Sequence, residues 1–140
     1  MMTVKEIKKE LSLYNDLNNY IFELEDKIEG LYYELGGVKG LRYDKQRGSV
    51  SKEYIESRKQ ELSLKIEILE QELTRVSLQV EHLDNILKAI EDDKLKEAVK
   101  DVCIDGKGLR AVANRFNCSH TTLMNMIDNE LANIINKLYL

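Results

Sequence analysis

The feature that most constrains the fold is a heptad repeat between Leu62 and Ile90. Its apolar residues alternate at steps of four and three without interruption: Leu62, Ile66, Leu69, Leu73, Val76, Val80, Leu83, Leu87 and Ile90. This spacing places them on one stripe of an α-helix, and a stripe sustained for about four heptads is typical of a coiled coil. Ser51 indicates the helix start, so we expect one helix from about Ser51 to Glu91, about 60 Å long.

A similar stripe occupies the chain from Val4 to Leu35. Its members are Val4, Ile7, Leu11, Tyr14, Leu17, Ile21, Leu24, Ile28, Leu31 and Leu35. The one irregular step, between Tyr14 and Leu17, should overwind the helix locally. The run is followed by Gly36-Gly37, which predicts a helix C-terminus because glycine adopts a positive φ without penalty.

Two long helices joined by a short segment predict an antiparallel coiled-coil hairpin over residues 1–91, with its loop at about 36–50. A hairpin alone would leave a second set of apolar side chains wet. They are Leu13, Tyr20, Phe22, Tyr32, Leu64, Ile68, Leu78 and Ile86. Self-association would bury them, so we expect a homo-oligomer formed through the coiled coil. In the alternative, the C-terminal domain folds back and covers them.

Composition narrows the class further. The 140 residues include no proline and only 6% aromatic residues, which disfavours sheets and favours long helices. Lys and Arg number 21 and Asp and Glu 25, for a net charge of −4, which excludes a strongly cationic nucleic-acid coat. No apolar run approaches the roughly 20 residues of a membrane span, and the N-terminus lacks a signal-peptide core. The expectation is an all-α, cytoplasmic protein.

Residues 92–140 predict a second domain with a helix-turn-helix at 109–128. Ala113 is small, as the close approach of two helix backbones requires. Asn117 stands where the turn needs a left-handed residue, and Ser119 can cap the second helix. The predicted core positions of the motif are Val112, Phe116, Leu123 and Met126.

The motif predicts a DNA-binding face, although an inert helical corner would satisfy the same core pattern. The expected base-reading residues are His120, Thr121, Thr122, Met124 and Asn125. The expected contacts to the DNA backbone are Lys107, Arg110, Arg115 and Ser119. Residues 91–140 carry seven basic and eight acidic side chains, so one copy should bind weakly. Useful occupancy would need a second copy or a partner such as RNA polymerase.

The predicted hairpin loop is a second candidate surface. Residues 38–52 carry five basic side chains and one acidic one. The residues assigned to this surface are Lys39, Arg42, Tyr43, Lys45 and Arg47. They suit a phosphate backbone or an acidic protein face, and a merely solvated loop explains the same charge run equally well.

The loop sequence Arg42-Tyr43-Asp44-Lys45, with Gly48-Ser49, precedes a long helix and a motif similar to region 4 of sigma factors. In this order of elements the chain resembles phage-encoded late-gene transcription regulators of the RinA/ArpU type. The resemblance implies a small activator whose helix from Ser119 enters the major groove. His120, Thr121, Thr122 and Asn125 would then be the readers. Asp128 and Glu130 stand where such proteins usually carry basic residues.

We identify no catalytic, cofactor or metal site. The two histidines, His82 and His120, lie on predicted helices, and long helices offer no pocket in which a Ser/His/Asp arrangement could converge. Cys103 and Cys118 do not have the spacing of a zinc site and are expected to be reduced core residues. Two alternatives to a transcription regulator stay open. One is a DNA-packaging protein resembling a small terminase subunit, although its DNA module usually comes first. The other is a helical adaptor that does not bind DNA.

Overall fold

The computed structural model describes residues 2–39 and 51–139. All regular elements in these two ranges are helices, which confirms the all-α class. The α-helices are α1 (Val4–Ser12), α2 (Tyr14–Lys39), α3 (Lys52–Ala89), α4 (Asp93–Val99), α5 (Leu109–Arg115) and α6 (His120–Tyr139), and a π-helical turn (Lys100–Ile104) follows α4. Among the described residues, every helix is too short or too polar to cross a membrane.

The backbone packs into two compact units. The first unit combines Met1–Asn18 with Gln79–Leu140, and the second unit is Asn19–Leu78. The sequence prediction divided the chain at residues 91 and 92 instead. The difference arises because Ile7 and Leu11 of α1 belong to the core of the C-terminal helices.

The core of the first unit joins α1, the last part of α3, and α4 to α6. Its fully buried side chains include Ile7, Leu11, Leu83, Ile86, Ile90, Leu123, Ile127, Leu131 and Ile134. Asp92 caps α4, because its carboxylate accepts hydrogen bonds from the backbone N–H groups of Lys94 and Leu95. The helices of this unit therefore share one apolar core, to which the two ends of the chain both contribute.

The expected irregularity near Tyr14 appears as a full interruption of the helix at Leu13. The N–H of Leu13 donates to the carbonyl of Glu10 at 3.0 Å, a tight three-residue turn. The helical ladder resumes as α2 at Tyr14. Three-residue steps in the apolar stripe, from Leu11 to Tyr14 and from Tyr14 to Leu17, coincide with this turn.

The core of the second unit lies between α2 and α3. Its buried side chains are Leu24, Ile28, Leu35, Val38, Ile55, Leu62, Ile66 and Val76. Arg58 Nη2 donates to Glu34 Oε1 at 2.7 Å, and the Tyr20 hydroxyl donates to Glu72 Oε1 at 3.3 Å. Because the pairs occur in opposite order along the two helices, α2 and α3 are antiparallel within this unit.

The prediction that the first long helix ends at Gly36-Gly37 is wrong. The helix continues through both glycines to Lys39. Leu35 and Val38, on either side of the glycines, are 6% and 8% exposed. A helix that stopped at Gly36 would withdraw Val38 from this core. Burial of the Val38 side chain contributes about 1.5–3 kcal/mol, which offsets the roughly 2 kcal/mol by which two helical glycines are disfavoured.

The second set of apolar side chains divides in two. Leu13, Phe22, Tyr32, Leu64, Ile68 and Leu78 are exposed. Tyr20 is half-buried, and Ile86 is fully buried in the first unit. The exposed members on α2 and α3 are thus uncovered in a single copy of the chain.

The course of α2 predicts that replacing its terminal glycines stabilises the protein. Gly36→Ala and Gly37→Ala should each raise the free energy of unfolding by about 0.5–1 kcal/mol, because a methyl group at either position would meet no atom within 4 Å beyond the helix's own backbone. Gly106→Ala is the matched control. Gly106 has a φ of 67°, so alanine there should destabilise by about 1 kcal/mol or more. Urea denaturation would measure all three, and loss of stability in Gly36→Ala would contradict the continuous helix.

Candidate nucleic-acid interface

A tight turn joins α5 to α6 at the predicted motif. Asn117 has a φ of 55°, which confirms the predicted left-handed residue. The N–H of Cys118 returns to the carbonyl of Ala113 at 3.1 Å, and the N–H of Phe116 donates to the same carbonyl at 3.1 Å. Both bonds use the Ala113 carbonyl near the end of α5, where the chain turns toward α6.

Ser119 directly precedes α6 and caps it, as predicted. Its hydroxyl oxygen accepts the N–H of Thr122 at 3.1 Å and donates to the Thr122 hydroxyl at 2.8 Å. Thr122 is therefore held in place by Ser119. A side chain fixed in this way is a more precise contact than a freely rotating one.

The packing beneath the turn agrees with most of the predicted core. Val112, Ala113 and Leu123 are almost fully buried, and Phe116 is half-buried. The prediction for Met126 is wrong, because Met126 is 45% exposed and Ile127 is buried instead. Buried positions on α6 follow Leu123 by four and eight residues, which places Met126 beside the stripe and outside the core.

The five predicted base-reading side chains share one exposed region at the start of α6. They are His120, Thr121, Thr122, Met124 and Asn125. Imidazole, hydroxyl and amide groups can donate and accept hydrogen bonds at base edges, and a thioether can contact a thymine methyl group. The opposite face of α6 carries the buried Leu123, Ile127 and Leu131. The core therefore fixes which side chains α6 presents to solvent.

Lys107 and Arg115, two of the predicted contacts to the DNA backbone, each form an ion pair with Asp101. Asp101 is only 7% exposed. Its Oδ1 accepts a hydrogen bond from Lys107 Nζ at 3.2 Å, and its Oδ2 accepts one from Arg115 Nη2. Burial acts to raise the pKa of Asp101, but the hydrogen bonds and charges of Lys107 and Arg115 outweigh it and hold the pKa below its ordinary value.

Arg115 makes two more contacts within the first unit. Its Nη2 lies 3.6 Å from Glu97 Oε1, and its guanidinium carbon lies 5.8 Å from the centre of the Phe116 ring. The Arg115 side chain is still 48% exposed, and that of Lys107 is 52% exposed. Both cations can thus meet solvent, but much of their charge is balanced by Asp101. Arg110 and Ser119, the other predicted backbone contacts, are exposed.

Asp101 lies in the π-helical turn and is not among the residues of this surface that the sequence identifies. In this turn the N–H of Asp105 donates to the carbonyl of Lys100 at 2.9 Å, five residues earlier. The N–H of Lys107 then donates to the Asp101 carbonyl at 2.9 Å. The available signal in the sequence is an acidic residue beside the apolar face of Val99 and Cys103.

A second ion pair balances an acid of α6. Lys8 of α1 contacts Asp128 Oδ1. An acid at position 128 is expected to weaken DNA binding, and this pairing removes much of its effect on the local potential. Lys8 could not be identified as the partner from the sequence, since the predicted domain boundary places α1 in a different domain.

Four residues of the predicted basic loop lie outside the part of the chain that the structure describes: Arg42, Tyr43, Lys45 and Arg47. Lys39 is the last residue of α2, and its side chain is likewise outside the described part. The assignment of this loop to DNA or to a partner stays a prediction.

The described residues contain no group of three or more His, Cys, Asp or Glu side chains able to hold a metal ion. Cys103 and Cys118 are free, and burial raises the pKa of the Cys103 thiol, as in an unreactive core cysteine. No protein-family model, curated protein or solved structure matches the chain significantly.

The Asp101 cluster predicts an asymmetry between two carboxylates that share Arg115. Asp101→Asn should lower the free energy of unfolding by about 1.5–3 kcal/mol, because a buried acceptor loses its charge beside two cations. Glu97→Gln is the control, since Glu97 is exposed and should cost less than about 1 kcal/mol. Urea denaturation at pH 7 would measure both, and equal losses would contradict the structural role of Asp101.

The same variant has an expected pH dependence. Because folding lowers the pKa of Asp101 below 3.8, the folded state binds fewer protons than the unfolded state. Its contribution is fully present above that ordinary value and is lost as the pH falls through the folded-state pKa. The stabilities of the wild-type protein and Asp101→Asn should therefore converge on acidification below pH 3.8. A difference that persists undiminished in acid would exclude this origin.

Proposed function

We propose that this chain is a sequence-specific DNA-binding transcription regulator. In this proposal α5, the turn at Asn117 and α6 form a helix-turn-helix, and the start of α6 enters the major groove. The observation that carries it is the exposed row of polar side chains from His120 to Asn125 above a tightly packed core. The polar side chains of this row can donate and accept hydrogen bonds at base edges in the major groove.

We propose that α2 and α3 form the predicted coiled-coil hairpin and that the hairpin supplies oligomerisation or a contact to RNA polymerase. The resemblance to RinA/ArpU-type regulators supports a phage or prophage late-gene activator with a sigma-region-4-like motif, acting in the bacterial cytoplasm. The small net charge around the helix-turn-helix supports the need for a second copy or a partner in DNA binding. Asp101 offsets Lys107 and Arg115, so a single copy brings little net charge to the phosphates.

A second candidate is a helical protein-interaction adaptor without DNA binding. The internal pairing of Lys107 and Arg115 with Asp101 favours it, because these cations then serve the fold. Selection of bound duplexes from a random DNA pool at about 0.1 M salt separates the two candidates. An enriched sequence supports the regulator, whereas no enrichment, alone or with RNA polymerase, supports the adaptor.

Base readout predicts a change of preference in variants at the start of α6. Thr121→Ala and Asn125→Ala should each lose discrimination by about 1–3 kcal/mol at one or two base pairs, while binding to random DNA persists. Asn133→Ala, an exposed change further along α6, is the control and should keep the wild-type preference. Fluorescence anisotropy on the selected duplex and its single-base variants would measure this, and unchanged discrimination in both variants would reject the assignment.

A contact from Arg110 to the DNA phosphates predicts a different change in DNA binding. Arg110→Gln should weaken binding to all sequences alike and reduce the slope of log affinity against log salt by about 0.9, the loss of one phosphate contact. Lys137→Gln removes the same charge at the other end of α6 and should leave the slope unchanged. DNA affinity measured at several salt concentrations gives this slope for each variant. An unaltered slope in Arg110→Gln would refute the contact. Arg115 is unsuitable for this test because its loss also disturbs Asp101.

A further inference from the structure

A second heptad stripe runs along α3 within the second unit, and we name it the outer stripe. Its members are Tyr54, Ser57, Glu61, Leu64, Ile68, Gln71, Arg75 and Leu78, at alternating steps of three and four. At about 100° per residue, Leu64 points about 200° away from Leu62, which faces α2. The outer stripe is therefore on the side of α3 opposite its buried seam.

The apolar members of the outer stripe are uncovered. Tyr54, Leu64, Ile68 and Leu78 are each more than half exposed, at 54%, 58%, 55% and 60%. Single exposed apolar residues are ordinary, but these four follow a heptad register through 25 residues of one helix. A helix surface with this register is a coiled-coil seam that lacks its second helix.

We propose that the outer stripe binds the outer stripe of a second copy of this chain, with the two α3 helices antiparallel. The two-fold axis crosses the outer stripe at the level of residue 66 along α3. Leu64 of each copy then lies opposite Ile68 of the other. This inference concerns assembly and does not depend on DNA binding.

The pattern of residues along the stripe indicates a second copy as the occupant. In the register just given, Tyr54 meets Leu78 of the second copy, so that apolar residues meet apolar ones. The polar members match as well: Glu61 meets Gln71, and Ser57 meets Arg75. An amide can donate to a carboxylate, and a guanidinium can donate to a hydroxyl oxygen. In a single copy the Arg75 guanidinium also donates to Glu72 of its own helix. One register therefore satisfies all four kinds of layer, and the symmetry provides each of them twice.

Charge disfavours the parallel alternative. A parallel in-register pair would place Glu61 against Glu61 and Arg75 against Arg75 of the second copy, and like charges at such positions are destabilising. Antiparallel pairing instead brings Arg58 near Glu72 of the second copy. It also brings Lys65 near Lys65 and Glu67 near Glu67 of the second copy, and these two like-charge pairs offset the two attractive Arg58–Glu72 pairs. The apolar layers therefore determine the affinity.

Association should depend on the outer stripe and not on exposed apolar residues in general. Ile68→Glu should raise the dimer dissociation constant at least about tenfold, because it removes two central apolar layers. Phe22→Glu is the matched control, as Phe22 is 66% exposed on α2 and outside the stripe. Sedimentation equilibrium of the full chain measures both, and circular dichroism should show unchanged helicity because both sites are exposed. A wild-type chain that is monomeric at about 1 mM, or an Ile68→Glu chain that still dimerises like wild type, overturns the proposal.

Cysteine cross-linking tests the orientation. In a Cys103→Ala, Cys118→Ala background, a Tyr54→Cys chain mixed with a Leu78→Cys chain should form a mixed disulfide dimer. Each chain alone should not cross-link, because 24 residues of helix separate equivalent positions by about 36 Å, far beyond disulfide reach. Parallel pairing gives the reverse result, with each chain cross-linking to itself, and would overturn the antiparallel register. No DNA is present in either experiment, so failure of this proposal is distinguishable from failure of the proposed function.

Discussion

The candidate interface depends on the burial of one face of α6. Leu123, Ile127, Leu131 and Ile134 are almost completely withdrawn from water. Their fixed position orients the whole helix, so the side chains that face solvent at its start are His120, Thr121, Thr122, Met124 and Asn125. Loss of one of these large buried groups would cost several kcal/mol, more than any single polar contact on the surface. The chemistry offered to a partner is therefore a consequence of the apolar packing behind it.

Much of the fold is predictable from the sequence because burial repeats at the period of a helix. The seam from Leu62 to Ile90 gives a helix almost to its true ends, and the turn at Asn117 follows from a local steric rule. Prediction fails where two weak preferences compete. The glycines after Leu35 favour a helix end, but a buried Val38 extends the helix beyond them. The core position on α6 shifts from Met126 to Ile127 because either could follow Leu123 on the same face.

The candidate site is predictable in its exposed residues but not in its charge balance. Exposure of the α6 residues follows from the helical period, which the sequence contains. The ion pairs do not, because each joins residues of different elements: Asp101 of the π-helical turn contacts Arg115 of α5, and Asp128 of α6 contacts Lys8 of α1. A net charge counted along the chain thus misjudges the potential at the interface. Acids that look unfavourable in the sequence serve to position or balance cations.

The joining of α1 to the C-terminal helices has a consequence for the order of events during synthesis. Ile7 and Leu11 leave the ribosome early, but their partners on α6 are more than 100 residues later in the chain. At 5–20 residues per second, α1 waits on the order of ten seconds with its apolar face uncovered. Closing so long a loop also slows the search, as in other folds with distant contacts. The first unit is completed only when α6 has been translated, so an unfinished chain lacks the packed core that orients α6.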